Sequence, residues 1–186
     1  MRITTLLGAT LGVSAALLST LKIASAVRLA DGTVYFVQPP SLLSATTTFN
    51  HVYVWGATYY FTLNLPENAG EPLQQVRITQ QEAIEDIEFK LKESSAFEGT
   101  HQKKGQKIAI TAIRKEDDRR TIAINFDPPV SPGKNITIAL NPVRNPRFDG
   151  VYLFGVTAFP SGEKSHGQFL GFGRLHFYDN IELLRR

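Results

Sequence analysis

Cysteine is absent from all 186 residues, and the only methionine is Met1. The first absence excludes disulfides, thiolate metal centres, thiol catalysis and lipidation at a processing-site cysteine. The second leaves no thioether ligand for a soft metal such as copper in a processed chain. Tryptophan occurs once, at Trp55, and histidine four times, at His51, His101, His166 and His176. No histidine stands two or four residues from another, so the local pair found in many zinc and copper sites is missing. After residue 26 no serine lies in a G-x-S-x-G elbow. Gly171-Phe172-Gly173 opens no helix and is not a phosphate loop. No part of this inventory asks for a cofactor.

Long hydrophobic runs are scarce too. The only one is Leu6 to Leu21, which follows the positive Arg2 and leads into Ala24-Ser25-Ala26. A charged start, an apolar middle and small residues in an A-x-A arrangement are the three parts of an export signal. The apolar part is shorter than the roughly 20 residues needed to cross hydrocarbon. Residues 1–26 are therefore expected to be a signal peptide, with 27–186 as one mature domain. That domain is expected to be exported to the periplasm or cell surface, with no membrane span of its own.

An excess of one charge is missing as well. The chain has 20 Lys and Arg against 17 Asp and Glu. Two of the basic residues, Arg2 and Lys22, sit in the leader, which holds no acid. The remainder is nearly neutral, so no general attraction to nucleic acid is expected.

What the chain does have is alternation. Tyr59, Phe61, Leu63 and Leu65 alternate with Tyr60, Thr62 and Asn64, the signature of a half-buried strand. Ile87, Phe89 and Leu91 alternate with Glu88 and Lys90, and read as another strand. Residues 93–106 are polar and read as a long loop. Ile108 and Ile110, then Ile122, Ile124 and Phe126, read as a hairpin whose tip spans Lys115 to Arg120. Asp127-Pro128-Pro129-Val130-Ser131-Pro132-Gly133 reads as a crossover between sheets, because proline cannot donate to a ladder. Val151 to Phe159 reads as a central strand and Phe169 to Tyr178 as the last, with Gly171 and Gly173 marking a bulge or a close backbone approach. Short strands punctuated every 8–12 residues or so define an all-β, immunoglobulin-like β-sandwich.

Several words of the sequence add a family resemblance. They are Leu65-Pro66, Ala69-Gly70-Glu71-Pro72-Leu73, the run Phe126 to Gly133, Asn145-Pro146, the run Gly150 to Pro160, and Gly173-Arg174-Leu175-His176-Phe177-Tyr178. In order, they resemble a cyanobacterial exported family catalogued as domain of unknown function 2808, over about residues 39–179. The resemblance implies a single exported domain and supplies no catalytic residues.

The candidate functional residues fall into three groups. Tyr53, Trp55, Tyr60 and Tyr152 form a possible ligand or partner surface, since exposed aromatic rings stack on sugars or anchor protein interfaces. His166 and His176 would be the metal ligands of a periplasmic copper or zinc carrier if the last hairpin brought them together. Glu67, Glu71, Glu82, Glu85, Asp86 and Glu88 read as solvated carboxylates rather than a catalytic pair. A basic group, Lys103, Lys104 and Lys107 with Arg114, Lys115, Arg119 and Arg120, is diluted by nearby acids. The expected function is a non-enzymatic binding or structural module of the cell envelope, its partner an envelope protein or polysaccharide. Carbohydrate binding through exposed aromatics is the first alternative and metal carriage the second.

Overall fold

The computed structural model describes residues 27–115 and 118–179. The expected signal peptide, the centre of the 115–120 hairpin tip and the C-terminal tail lie outside the described residues. Described strands are β1 (Val27–Arg28), β2 (Thr33–Tyr35), β3 (Ser41–Thr47), β4 (Tyr59–Leu65), β5 (Leu73–Gln80), β6 (Ser95–Gly99), β7 (Lys104–Ile108), β8 (Ile110–Lys115), β9 (Asp118–Val130), β10 (Lys134–Leu140), β11 (Gly150–Pro160), β12 (Lys164–Ser165) and β13 (Gln168–Phe177). One 3-10 turn, Leu91–Glu93, precedes β6.

Two five-stranded sheets face each other, in the orders β3-β4-β10-β6-β7 and β13-β11-β5-β9-β8. A small third sheet, β1-β2-β12, sits beside them. In chain order, β3-β4-β10-β6 follows the A-B-E-D sheet of an immunoglobulin domain, and β13-β11-β5 follows G-F-C. The fold is thus an immunoglobulin-like β-sandwich, widened by β7 on one sheet and by β9 and β8 on the other. Only Ala109 separates β7 from β8, so the chain steps there from the edge of one sheet to the edge of the other.

Alternation explains the core. Tyr59, Phe61, Leu63 and Leu65 of β4 are all buried. They meet Ile136, Ile138 and Leu140 of β10 and, from the facing sheet, Phe154, Val156 and Phe177. The rings of Tyr59 and Phe61 pack edge-on against Phe154, with centroids 6.2 and 5.7 Å away. Burying one such side chain is worth about 1.5–3 kcal/mol relative to leaving it in water. At the opposite seam, β13 must pass close to β3. A Cβ on Gly173 would lie 2.6 Å from the Ala45 Cβ and 3.0 Å from the Phe61 ring. Gly171, with φ +121°, sits at the bulge where the β11–β13 register shifts between Val156 and Thr157. Both of the roles expected of these glycines are realised.

Three expectations are corrected. Ile87 to Leu91 is not a strand: it crosses the end of the sandwich, held by a single bridge between Phe89 and Pro142 and by bonds from Val143 N–H to the Glu88 carbonyl and from Lys90 N–H to the Asn141 carbonyl. Its alternation is real, since Ile87 is buried and Phe89 and Leu91 pack on the core. No neighbouring strand is offered to it beyond that bridge. The polar stretch 93–106 contains β6 and the start of β7, because two buried residues, Ala96 and Phe97, suffice to seat β6 beside β10. The Pro128-Pro129 pair lies within β9 rather than in the crossover, which is confined to residues 131–133. The prolines are tolerated because β5 pairs Gln75 with Asn125 and Leu73 with Val130, so the residues between them bulge past Gln74. The Gln74 side chain donates to the Phe126 carbonyl there, 2.9 Å away.

Candidate functional site

Loops 48–58, 81–94 and 141–149 gather at one end of the sandwich. The first carries two large exposed rings, Tyr53 and Trp55, 57% and 67% exposed. The restraint on this loop comes from below. Asn145 is completely buried. Its side-chain amide donates to the carbonyls of Phe49 (2.9 Å) and His51 (2.8 Å). Its side-chain oxygen accepts from the buried Tyr59 hydroxyl at 3.0 Å. Its backbone N–H donates to the Val54 carbonyl at 2.7 Å. One residue therefore ties the aromatic loop both to the 141–149 loop and to the core.

Tyr53 shows the same restraint. Its φ of +62° is a left-handed conformation that costs a non-glycine residue about 1 kcal/mol or more. The Tyr53 N–H donates to the Pro146 carbonyl at 3.0 Å, which holds it there. The far side of the loop is fixed by the residue that follows β13, since Val52 N–H donates to the Tyr178 carbonyl and Tyr178 N–H to that of Asn50.

Charge organises the rest of this end. Glu85 accepts from Arg144 at 3.3 Å, from the Arg147 guanidinium at 3.2 Å and from the Arg147 backbone N–H at 2.7 Å. Its side chain is only 12% exposed, so it is a structural anion and not the solvated carboxylate expected. Arg144 in turn lies 6.0 Å above the Tyr53 ring, and Arg147 lies 5.9 Å from that of Phe148, both within cation–π range. Beside these groups runs an open cleft of about 450 Å³, lined by Ile84, Asp86, Val143 and Pro146 among others. Ile84 projects from its rim, 80% exposed. Buried beneath, the Tyr59 hydroxyl is held well above the usual phenol pKa and that of Tyr152 is raised, both chiefly by burial, with the Glu85 charge adding to it.

The other aromatic candidates are not part of this surface. Tyr152 is 3% exposed and its hydroxyl donates to the Phe148 carbonyl at 3.1 Å, so it is a core residue. An inward-pointing position on a central strand explains it. Tyr60 lies on the outer face of the first sheet, half-buried, stacked on His101 with ring centroids 5.4 Å apart. The hairpin does not join His166 to His176 either. His176 pairs with Val151 at one end of β11, while His166 precedes the Ala158–Gln168 pair at the other. Seven steps of extended strand from Val151 to Ala158, at about 3.3 Å each, keep them about 20 Å apart. His166 instead stacks on Tyr35, centroids 4.6 Å apart. Among the described residues no group of three or more His, Asp and Glu is placed to hold a metal ion.

Asn145, Glu85, Arg144 and Arg147 organise this end, and sequence reasoning gave none of them that role. The one available signal was Asn145-Pro146, a turn-forming pair between two strand patterns.

The strand order and the loop-borne aromatic end define an immunoglobulin-like β-sandwich with one built, rigid loop surface. The chain belongs to the family described as protein of unknown function DUF2808, whose model matches residues 33–177. No curated protein matches the sequence. Among solved structures the chain is similar to the C-terminal domain of the Streptococcus pyogenes antigen I/II-family protein AspA, at 12% identity and a TM-score of 0.41, covering 72% of this chain and 46% of that one. It is also similar to the collagen-binding domain from a Staphylococcus aureus adhesin, at 10% identity and a TM-score of 0.37, covering 72% of this chain and 96% of that one. The collagen-binding subdomain of the Enterococcus faecalis surface protein ACE is a third, at 6% identity and a TM-score of 0.40, with 72% and 93% covered. The chain thus spans less than half of the AspA domain. No helix among the described residues is long and apolar enough to cross a membrane.

Proposed function

We propose that this chain is an exported, non-enzymatic binding module that works in the periplasm or at the cell surface. It engages an envelope partner through the loop end that carries Tyr53, Trp55, Arg144 and Arg147. The observation behind this reading is the restraint on that end. Exposed aromatic and arginine side chains are the residues that dominate binding hot spots. Here they stand on a loop pinned by the completely buried Asn145 and by Glu85. Pre-organisation of this kind lowers the ordering cost of association. The Trp55 ring that it presents faces water and adds little to the core.

A protein partner is the first reading, because Arg144 and Arg147 bring charge to the rings and the cleft beside them joins charged side chains to the exposed Ile84. A polysaccharide is the second, favoured specifically by the exposure of Trp55 and Tyr53. Co-sedimentation of purified mature protein with isolated envelopes tests the module reading. The wild type is expected to pellet with envelopes, and the Tyr53→Ala/Trp55→Ala double variant to stay in the supernatant. Equal pelleting of both, or turnover of glycosides, esters or peptides by the purified protein, would overturn the reading. A glycan array separates the two partners: hits that vanish with Trp55→Ala identify the polysaccharide.

A further inference from the structure

A second concave surface lies on the outer face of the first sheet and shares no lining residue with the loop-end cleft. The β6–β7 hairpin bounds it and brings residues distant in sequence together. The groove is about 410 Å³ in volume, toward the lower end of the roughly 300–1,000 Å³ typical of small-ligand sites. Its apolar surface is the Tyr60 ring with Phe97 and Ala139. Its hydrogen-bonding groups are Thr58, Ser95 and Asn141, and its charges are Lys104 and Lys107.

Two features separate this groove from an ordinary surface dip. The first is its charge. No Asp or Glu lines it. Among the described residues neither lysine has a carboxylate within ion-pair distance, whereas nearby Glu98 is engaged by Lys134. The Lys104 ammonium instead lies 5.3 Å from the Phe97 ring and 5.7 Å from that of Tyr60. The second is the framework. Tyr60 is braced by its stack with His101 and by an edge contact with Phe97, centroids 6.5 Å apart. Beside it the Thr62 and Thr137 hydroxyls bond each other at 2.9 Å, and that of Thr137 donates to the Gly99 carbonyl at 2.7 Å, fastening the hairpin to the sheet. Asn141 is held by the Thr58 hydroxyl, which donates to its side-chain oxygen at 3.0 Å.

An apolar ring wall, hydroxyl and amide groups and two lysines without carboxylate partners complement one kind of ligand closely. A hexuronate unit of an acidic polysaccharide has an apolar ring face, several hydroxyls and one carboxylate. We propose that this groove binds such a unit, with the ring against Tyr60, hydroxyls on Asn141, Thr58 and Ser95, and the carboxylate on Lys104 and Lys107. The chain then has two binding surfaces, and this one does not depend on the loop-end reading.

Isothermal titration calorimetry with polygalacturonate and with dextran tests it. The protein is expected to bind polygalacturonate, with affinity falling as salt is raised, and to ignore dextran. Lys104→Ala/Lys107→Ala, two exposed positions whose loss leaves the fold intact, should weaken binding by at least about tenfold. Tyr60→Leu, which keeps both charges and an apolar wall, should weaken it by a similar factor, with unchanged circular dichroism as the folding control. Trp55→Ala should leave it untouched, so failure here and failure of the loop-end reading are separable. Absent binding, equal binding of dextran, or equal binding of phosphatidylglycerol vesicles would overturn the proposal. So would loss of binding on Trp55→Ala with retention in the lysine variant.

Discussion

Replacing Asn145 by alanine removes three side-chain hydrogen bonds at once. The Tyr59 hydroxyl sits on a completely buried residue and loses its partner, at a cost of about 2 kcal/mol for an unsatisfied buried group. The His51 carbonyl loses its amide donor, and the Phe49 carbonyl keeps only the Thr47 hydroxyl. About 1 kcal/mol for each of these losses brings the sum to about 4 kcal/mol. Since domains of this size are stable by only about 5–15 kcal/mol, the variant should unfold roughly 10–15 °C below the wild type. Urea denaturation measures the cost directly. Tyr59→Phe alone leaves the Asn145 oxygen bare and should cost about 1.5 kcal/mol. The double variant should cost less than the sum of the singles by about 1 kcal/mol, because the two changes remove one shared bond. The single tryptophan supplies a second readout: fluorescence anisotropy of Trp55 should fall in Asn145→Ala as the loop loosens. A destabilisation below about 1 kcal/mol, strict additivity, or unchanged anisotropy would refute the role given to Asn145.

Three further outcomes are expected. Gly173→Ala should destabilise by about 1–3 kcal/mol through contact with Ala45 and Phe61, while Gly171→Ala meets open space and should cost about 1 kcal/mol from backbone strain alone; thermal melts and a structure of each variant separate crowding from strain. The buried Tyr59 hydroxyl, its pKa raised in the folded state, should leave stability unaffected below about pH 10; above it the unfolded chain ionises first, so stability falls by about 1.4 kcal/mol per pH unit for this group, as denaturation between pH 9 and 12 will show. Glu85→Gln keeps the shape but loses the charge that faces Arg144 and Arg147, and should cost about 1 kcal/mol, discounted because both arginines are partly exposed, with the loss shrinking in high salt.

Much of the architecture was legible because β-structure writes itself as alternation. The β4 pattern from Tyr59 to Leu65 and the glycines of β13 both translate directly into positions in the sandwich. Alternation reports which side chains face inward and not whether a neighbouring strand exists. Ile87 to Leu91 therefore imitates a strand while making one bridge. The converse error at β6 arises because a short strand needs only Ala96 turned into the core and Phe97 covered on the other face. The functional surface was half legible. Tyr53 and Trp55 are exposed, whereas Tyr152, grouped with them in the sequence reading, points inward from a central strand and is buried. The cluster around Asn145 was not legible, since Glu85, Asn145 and Phe49 meet only after three loops converge at one end. The Tyr60 groove escaped for the same reason, as β4, β6, β7 and β10 each contribute to it.

The central claim is that the Trp55 loop end meets a partner in the envelope. The most direct measurement places photoreactive benzoylphenylalanine at position 55 and irradiates the protein on intact envelopes. One discrete crosslinked adduct is expected, and none when the same group replaces Glu163, an exposed residue in the turn between β11 and β12. Identical adducts from both positions, or none from position 55, would contradict the claim.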